Sequence, residues 1–334
     1  MGFRVARLAG IAIGALATLA AAFPASCRGA AGNGTLTLVF ENDCFYQQDR
    51  DYTNGIALIW VPPEEPSPAK ASGTARWIPW FPAEGLVRHG YAVGQNIYTP
   101  SDITVADPPL DERPYAGWLY LTFGYGVETK RQLNQFAVTL GVVGPASLAE
   151  ESQSAIHHVT DSAVPQGWDT QIGNELGISL TGQRSWRGLI STTLFGLDLD
   201  LTLHLGGAIG NVYTYANAGS MLRYGKGLSL DYGPPRIQPS IQGSGFVARS
   251  DRPAWYLFAG CEGRAVARNI FLDGNTFQDS RSVDKEPLVG DLQWGIVLTW
   301  RGTRLSYIHV IRTREFKGAP PHDDFGAISL SLPL

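Results

Sequence analysis

The last ten residues, Phe325-Gly326-Ala327-Ile328-Ser329-Leu330-Ser331-Leu332-Pro333-Leu334, alternate to the final position. Ile328, Leu330, Leu332 and Leu334 fall on one face of an extended strand, and Ser329 and Ser331 on the other. Strand side chains repeat every two residues, so such a segment has an apolar and a polar side. Alternation carried to the end is the pattern of a strand that closes a barrel, and it sets the terms for the rest of the chain. Thr35 to Glu41 alternates in the same way, with Leu36, Leu38 and Phe40 on one face. Similar segments recur at 54–62, 89–98, 117–127, 132–142, 198–214, 236–248, 254–267, 291–301 and 303–313. Their lengths suit the ~9–11 residues of a tilted membrane-crossing strand, and their number predicts roughly ten to fourteen strands.

Composition excludes the main competitors. Charged residues make up 17% of the 334, below the ~25% of soluble domains. With 9 Trp, 13 Tyr and 14 Phe the chain can bury too much surface to be disordered. After residue 30 no run approaches the ~18–20 apolar residues of a spanning helix. A secreted β-sandwich also alternates. Against it stand the closing strand and the aromatics near strand ends: Trp60, Tyr98, Trp118, Tyr120, Trp255, Tyr256, Trp294, Trp300 and Tyr307. These are expected to form the interfacial girdles of a barrel. The fold class expected is all-β, a transmembrane antiparallel β-barrel.

The N-terminus reads as an export signal. Arg4 and Arg7 precede an uncharged run from Leu8 to Phe23, and small residues follow. The expectation is a signal peptide over 1–27, cleaved between about 22 and 31, with the barrel over 28–334. A lipidated Cys27 is the rival reading, and Pro24 fits it poorly. Without Arg4 and Arg7 the chain carries 24 basic against 30 acidic residues, a net charge of −6, so nucleic acid is not an expected partner. Cys44 and Cys261 would remain, and two cysteines do not make a disulfide framework.

One segment departs from the strand pattern. Residues 144–158 read as a helix from about 148 to 160, with Ser147 and Glu150 spaced as a capping box and Glu150 and Glu151 favouring its N-terminus. Gln153 and His157, four apart, share one face. Leu148 and Ile156 form a neighbouring stripe that could pack against a barrel.

The candidate chemistry gathers at a few polar positions. Asn42-Asp43 ends an apolar strand, and Asp51-Tyr52-Thr53-Asn54-Gly55 opens the next. Taken singly, Asn-Asp and Asn-Gly are most often turns, and a lone His is most often a surface or packed residue. Together, in an exported barrel poor in charge, they suggest a hydrolase. His157 can take a proton from water near neutral pH. A carboxylate could hold calcium, which takes oxygen ligands and polarises an ester carbonyl. No serine sits in a G-x-S-x-G elbow, and Gly243-Ser244-Gly245 lacks the spacing. Cys44 beside Asp43 is the rival nucleophile, ranked lower because a thiol is vulnerable in an oxidising compartment.

These residues resemble a known family. Phe40-Glu41-Asn42-Asp43 and Asp51-Tyr52-Thr53-Asn54-Gly55 are similar to the opening signature of the outer-membrane lipid A 3'-O-deacylases. Further matches are Gly94-Gln95-Asn96-Ile97-Tyr98-Thr99-Pro100, Arg113-Pro114-Tyr115-Ala116-Gly117-Trp118, Gly144-Pro145 with Gln153 and His157, and Gly167-Trp168-Asp169-Thr170-Gln171 running to Asn174-Glu175. Gly210-Asn211-Val212, Leu272-Asp273-Gly274-Asn275-Thr276-Phe277 and the final strand follow. The resemblance spans about residues 35–334. It implies a twelve-stranded barrel in the Gram-negative outer membrane, among outer-membrane lipids, with a short helix in an extracellular loop. It also implies calcium-dependent removal of the 3'-linked acyloxyacyl chain of lipid A, the lipid of lipopolysaccharide. By the same resemblance His157 is the base that activates water, Asp43 a calcium carboxylate, and Asn42, Thr53 and Gln153 orient the ester and metal. A second acidic residue is expected after the histidine: Asp161 is near in sequence, while Glu175 matches the motif better and is taken as the second metal residue. His158 points to another helix face. Arg113 and Tyr115 are expected either to be structural or to bind the phosphate or sugar of the substrate, Arg suiting phosphate by its bidentate fork; they are taken as substrate-binding. The alternatives are an outer-membrane phospholipase with a serine nucleophile, and a porin-like barrel with no chemistry at His157.

Overall fold

The computed structural model describes residues 34–42, 51–63, 81–82, 84–237 and 252–334, with only the backbone of 51–53. It is a closed antiparallel barrel of twelve strands in sequential order, β1 closing on β12. The strands are β1 (Thr35–Asn42), β2 (Asp51–Val61), β3 (Leu86–Thr99), β4 (Ala116–Glu128), β5 (Gln132–Val143), β6 (Glu175–Leu194), β7 (Leu197–Gly210), β8 (Tyr213–Lys226), β9 (Ala254–Asn269), β10 (Leu288–Trp300), β11 (Thr303–Thr313) and β12 (His322–Pro333). Two helices interrupt it, α1 (Ala149–Thr160) between β5 and β6 and the single turn α2 (Ile270–Asp273) after β9. No described helix is long and apolar enough to cross a membrane. The signal segment, Asp43 and Cys44 lie outside the described residues.

The closing seam is in register from Thr35 opposite Pro333 to Asn42 opposite Gly326. Thr37, Ser329 and Ser331 turn into the lumen, where the Thr37 hydroxyl donates to Ser331 at 2.8 Å. Leu36, Leu38, Ile328, Leu330 and Leu332 therefore face out. The polar face of the alternating strands is the interior, as expected of a membrane barrel. The tight turns at 195–196 and 301–302 share one end with both described termini; in outer-membrane barrels the short turns are periplasmic and the long loops extracellular. α1 and α2 then sit at the extracellular end.

Three expectations need correction. Trp60, Trp294 and Trp300 do face outward, but Tyr98, Trp118, Tyr120 and Tyr256 are buried in the lumen instead of forming a girdle. They belong to a cluster with Tyr213 and Phe271. Tyr98 stacks on Phe271 at 4.1 Å, and its hydroxyl meets that of Tyr213 at 2.7 Å, so α2 stoppers the barrel mouth. Next, residues 198–214 are not one strand: Asn211 and Val212 turn the chain between β7 and β8, and β6 stands where no strand was expected. Finally, Arg236 and Ile237, the described part of 236–248, are not in a strand. They enter the lumen, where the Ile237 amide donates to Glu41 at 2.9 Å. The rest of that segment lies outside the described residues.

Below the aromatic stopper the lumen is filled by ion pairs. Asp291 takes Arg312 at 2.9 Å and Arg264 at 3.0 Å, with Arg236 at 3.5 Å. Nearer the periplasmic end, Arg223 is held by Asp200 at 2.6 Å and Asp231 at 2.9 Å, and Arg304 reaches Asp231 at 2.6 Å. Charges this deep persist only when paired. The interior is packed with these groups instead of being lined as a channel.

Candidate active site

At the extracellular rim the register brings four outward-facing positions into one row. Asn42 of β1 lies opposite Asn54 of β2, Asn54 opposite Ile97 of β3, and Ile97 opposite Gly117 of β4. Their neighbours Glu41, Tyr98 and Trp118 point into the lumen, so alternation turns this row outward. Adjacent members are about 5 Å apart. Asn42 and Asn54 are nonetheless buried. Thr53 is the extra residue of a bulge, because Tyr52 pairs with Tyr98 while Asn54 pairs with Ile97; bulges re-aim side chains beside functional sites.

α1 lies against the outside of the wall at this row. Ile97, Tyr115, Ala149 and Trp168 form a small buried cluster between helix and strands. Gly117 makes the close approach possible: a Cβ there would stand 2.1 Å from Ser147 Oγ and 2.2 Å from the Ala149 methyl. Gln95 donates to the Ser147 carbonyl at 2.7 Å, and the Ala146 amide donates to Asn174 at 2.7 Å. The capping box does not form. Leu148, in the left-handed region at φ 57°, is the N-cap, preceded by a tight turn over Pro145–Ser147. That bend presses Ser147 against Gly117 and away from the helix amides. Glu150 and Glu151 do occupy the first turn. Burial, then the nearby Glu151 and Asp169, push the Glu150 carboxyl above its ordinary range. The face turned to the wall is Ala149, Gln153, His157 and Thr160, while Leu148 is exposed.

Gln153 and His157 thus stand one turn apart on the buried face. The Trp168 indole donates to Gln153 Oε1 at 2.9 Å. This fixes the amide, and its Nε2 remains a buried donor with no hydrogen-bond partner. His157 Nδ1 meets the carbonyl of Ala163. A carbonyl can only accept, so a neutral His157 carries its proton on Nδ1 and its lone pair on Nε2. That is the tautomer of a general base. The segment after the helix is shaped to deliver this carbonyl: Asp161, in the left-handed region at φ 55°, and Ser162 both donate backbone amides to the His157 carbonyl.

The remaining predicted site residues go elsewhere. Glu175 lies on the lumen side of β6 and accepts from Asn211 at 2.7 Å, Asn275 at 3.1 Å and the Thr276 amide at 2.7 Å. It fastens three loops, away from the outward row. Arg113, 1% exposed, pairs with Glu315 at 2.7 Å and lies over the rings of Tyr98 and Phe316. Tyr115 is fully buried; its hydroxyl donates to the Ile103 carbonyl and its ring tilts onto Trp168 at 4.9 Å. Both build the loops that hold α1. Among the described residues no three His, Cys, Asp or Glu side chains come together to hold a metal. With three N–H donors aimed at Glu175, the described residues do not by themselves fit calcium. Two residues were missed from sequence. Asn54 was placed at the start of a strand but given no role, although opposite Asn42 the register makes it a wall residue of the site. Trp168 was quoted in a motif without a role, although a buried indole N–H calls for an acceptor.

The model of the family described as "Outer membrane protein LpxR" matches residues 11–334. The chain belongs to the LpxR family. It is an outer-membrane protein with the barrel of that family. LpxR from Salmonella typhimurium superposes with a TM-score of 0.74 at 18% identity, covering 89% of this chain and 99% of that one. The β domain of the Bordetella autotransporter BrkA gives a TM-score of 0.41 at 11% identity, covering 91% and 98%. No curated protein sequence matches the chain.

Proposed function

We propose that this LpxR-family protein is a lipid A 3'-O-deacylase, an ester hydrolase with His157 as its general base. The observation that carries the reading is the pairing, on one buried helix face, of a histidine in the base tautomer with a partnerless amide donor. His157 Nε2 takes a proton from water as the water oxygen bonds to the ester carbonyl carbon. The carbonyl oxygen becomes an oxyanion and accepts a hydrogen bond from Gln153 Nε2, an interaction realised most strongly in the transition state. As the tetrahedral species collapses, the bond to the sugar 3' oxygen breaks, and the imidazolium returns its proton to that oxygen. The products are the free acyloxyacyl acid and a 3'-hydroxyl on lipid A. Asn42, on the outer face, and Thr53, at the neighbouring bulge of β2, orient the substrate; the wall-side position suits an ester whose chains remain in the bilayer.

Calcium stays part of the proposal as the family resemblance implies it, resting on Asp43. When bound, such an ion would polarise the ester carbonyl; no step above is routed through it. The test is a lipid A mass spectrum from a bacterium without its own deacylase, expressing wild type or His157→Ala, with calcium present or chelated. The expected result is loss of one acyloxyacyl unit with wild type alone, and only with calcium. Unchanged lipid A from a folded, inserted barrel would overturn the deacylase reading. Activity surviving His157→Ala would overturn the mechanism, and activity surviving chelation would overturn the calcium assignment.

A further inference from the structure

Three motifs far apart in sequence, Asn174-Glu175, Gly210-Asn211-Val212 and the run from Leu272 to Phe277, meet at one carboxylate. Glu175 opens β6 at the foot of the loop that carries α1, opposite Val143, where that loop leaves β5. Its Oε1 accepts from Asn211 at 2.7 Å, and its Oε2 accepts from the Thr276 amide at 2.7 Å and from Asn275 at 3.1 Å. Asn211 is itself fixed, since it accepts from the Ile178 amide at 2.7 Å and donates to the Leu176 carbonyl at 2.8 Å. An ionised carboxylate has about four lone-pair sites, so three N–H groups take most of them. Calcium would need those lone pairs turned to the ion, among further oxygens. The groups that face Glu175 present hydrogens instead.

The same bonds run on into the loop. The Gly173 amide donates to Asn275 Oδ1 at 2.8 Å, and Asn275 Nδ2 donates to the Gly173 carbonyl at 2.9 Å. Asn275 thus grips Gly173 and Glu175 together, with Asn174 between them. Gly144, at the other foot of the loop, lies so close that a Cβ there would stand 2.6 Å from the Gly173 oxygen. Asn174 Oδ1 then accepts from the Ala146 amide at 2.7 Å. Ala146 lies in the tight turn that leads through Leu148 into α1. A continuous set of hydrogen bonds therefore joins Glu175 to the first residues before the helix.

We propose that Glu175 is a positioning residue and not a metal ligand: through Asn275 and Asn174 it sets the entry of α1, and with it the seat of Gln153 and His157 on the wall. Its effect on turnover rests on the deacylase reading, whereas the clamp itself does not. A group held about 1 Å out of place can cost a hundredfold in rate, so a residue at the foot of the loop can govern chemistry that it never touches.

The test compares the full-length wild type with Glu175→Gln, Asn174→Ala and Asn174→Asp in detergent micelles containing lipid A. Glu175→Gln turns an amide toward donors, Asn174→Ala removes the acceptor for Ala146, and Asn174→Asp keeps it. Amide exchange across 145–160, measured without substrate, should quicken in the first two and stay slow in Asn174→Asp. Turnover per folded molecule should fall about ten- to hundredfold in the same two, with KM and the calcium concentration for half-maximal turnover unchanged. Should Glu175→Gln not fold, Asn275→Ala decides the matter, because it leaves the carboxylate and cuts its link to Gly173. A calcium requirement raised tenfold in Glu175→Gln, with exchange over α1 unchanged, would make Glu175 a metal ligand and overturn the proposal. Slow exchange over α1 in Asn174→Ala would overturn it too. So would a lower unfolding midpoint with full turnover per folded molecule, the mark of a merely structural group. A wild type inert toward lipid A would remove the deacylase reading alone, and the exchange measurement would still decide the clamp.

Discussion

Asp291, inside the barrel, answers three guanidiniums, whereas Gln153, outside it, keeps a buried amide donor that nothing answers. The lumen gathers charge and compensates it; the wall under α1 has few polar groups, held by others so that their reactive atoms face the site. A compensated network resists the loss of any member, because removing one charge strands its partners. An uncompensated donor is instead a group kept ready for a partner that arrives later. On the proposed reading the lumen serves stability and the wall face chemistry, and substitutions should separate the two.

The largest effect should come from the wall. His157→Ala is expected to lower turnover on lipid A by about 10²–10⁴-fold and to leave the unfolding midpoint of the detergent-solubilised barrel where it was. A comparable fall in stability would mean that His157 holds the wall together. Asp291→Ala should show the reverse: about 3–5 kcal/mol of stability lost, with turnover per folded molecule unchanged. Denaturant unfolding beside activity normalised to folded protein distinguishes them, and an Asp291 variant that folds well but is inactive would join the two regions.

Gly117→Val sharpens the boundary between them. The added side chain meets Ser147 and Ala149, so α1 should lift from the wall at a cost of about 1–3 kcal/mol. Faster amide exchange across 145–163 with an unaltered barrel would show it. Trp168→Phe removes only the indole donor to Gln153. It should cost about 1 kcal/mol and lower turnover with little change in KM, since the amide is left free to turn.

The smallest effect is a pH dependence of the loops. Although burial acts against it, Arg312 and Arg113 hold the Glu315 carboxyl below its ordinary range. A depressed carboxylate contributes stability that is fully present above the ordinary carboxylate range and is lost as pH falls through its lower folded-state value. Amide exchange over 100–115 and 314–321 should therefore stay slow at pH 5 and quicken only in stronger acid. Quickening near neutrality would show that the Arg113–Glu315 pair is not what clips these loops.

The barrel was legible because alternation survives wherever one strand face meets lipid. It failed where the outward row itself is interrupted. β6 alternates through Leu176, Ile178 and Leu180, then meets Gly182, Arg184 and a bulge before Ile190, and the signal dissolves. β7 and β8 merged because Asn211 and Val212 make a turn too short to punctuate the pattern. The aromatics misled for a related reason: composition cannot say which side of a strand a tyrosine occupies, and a one-residue register choice separates girdle from stopper. At the site, the i, i+4 spacing was enough to put Gln153 and His157 together. The Ala163 carbonyl and Trp168, which give those side chains their orientation, depend on a left-handed residue at Asp161 and on packing against Ile97, neither of which has a local sequence signature.

The placement of α1 on the outside of a stoppered barrel has a kinetic consequence. An ester that reaches His157 from the bilayer arrives by sliding within a sheet one molecule thick, never through bulk solvent. The quantity that sets the rate is then the mole fraction of substrate in the leaflet. Diluting the vesicles in buffer should leave turnover per protein unchanged, whereas diluting lipid A with inert lipid should slow it.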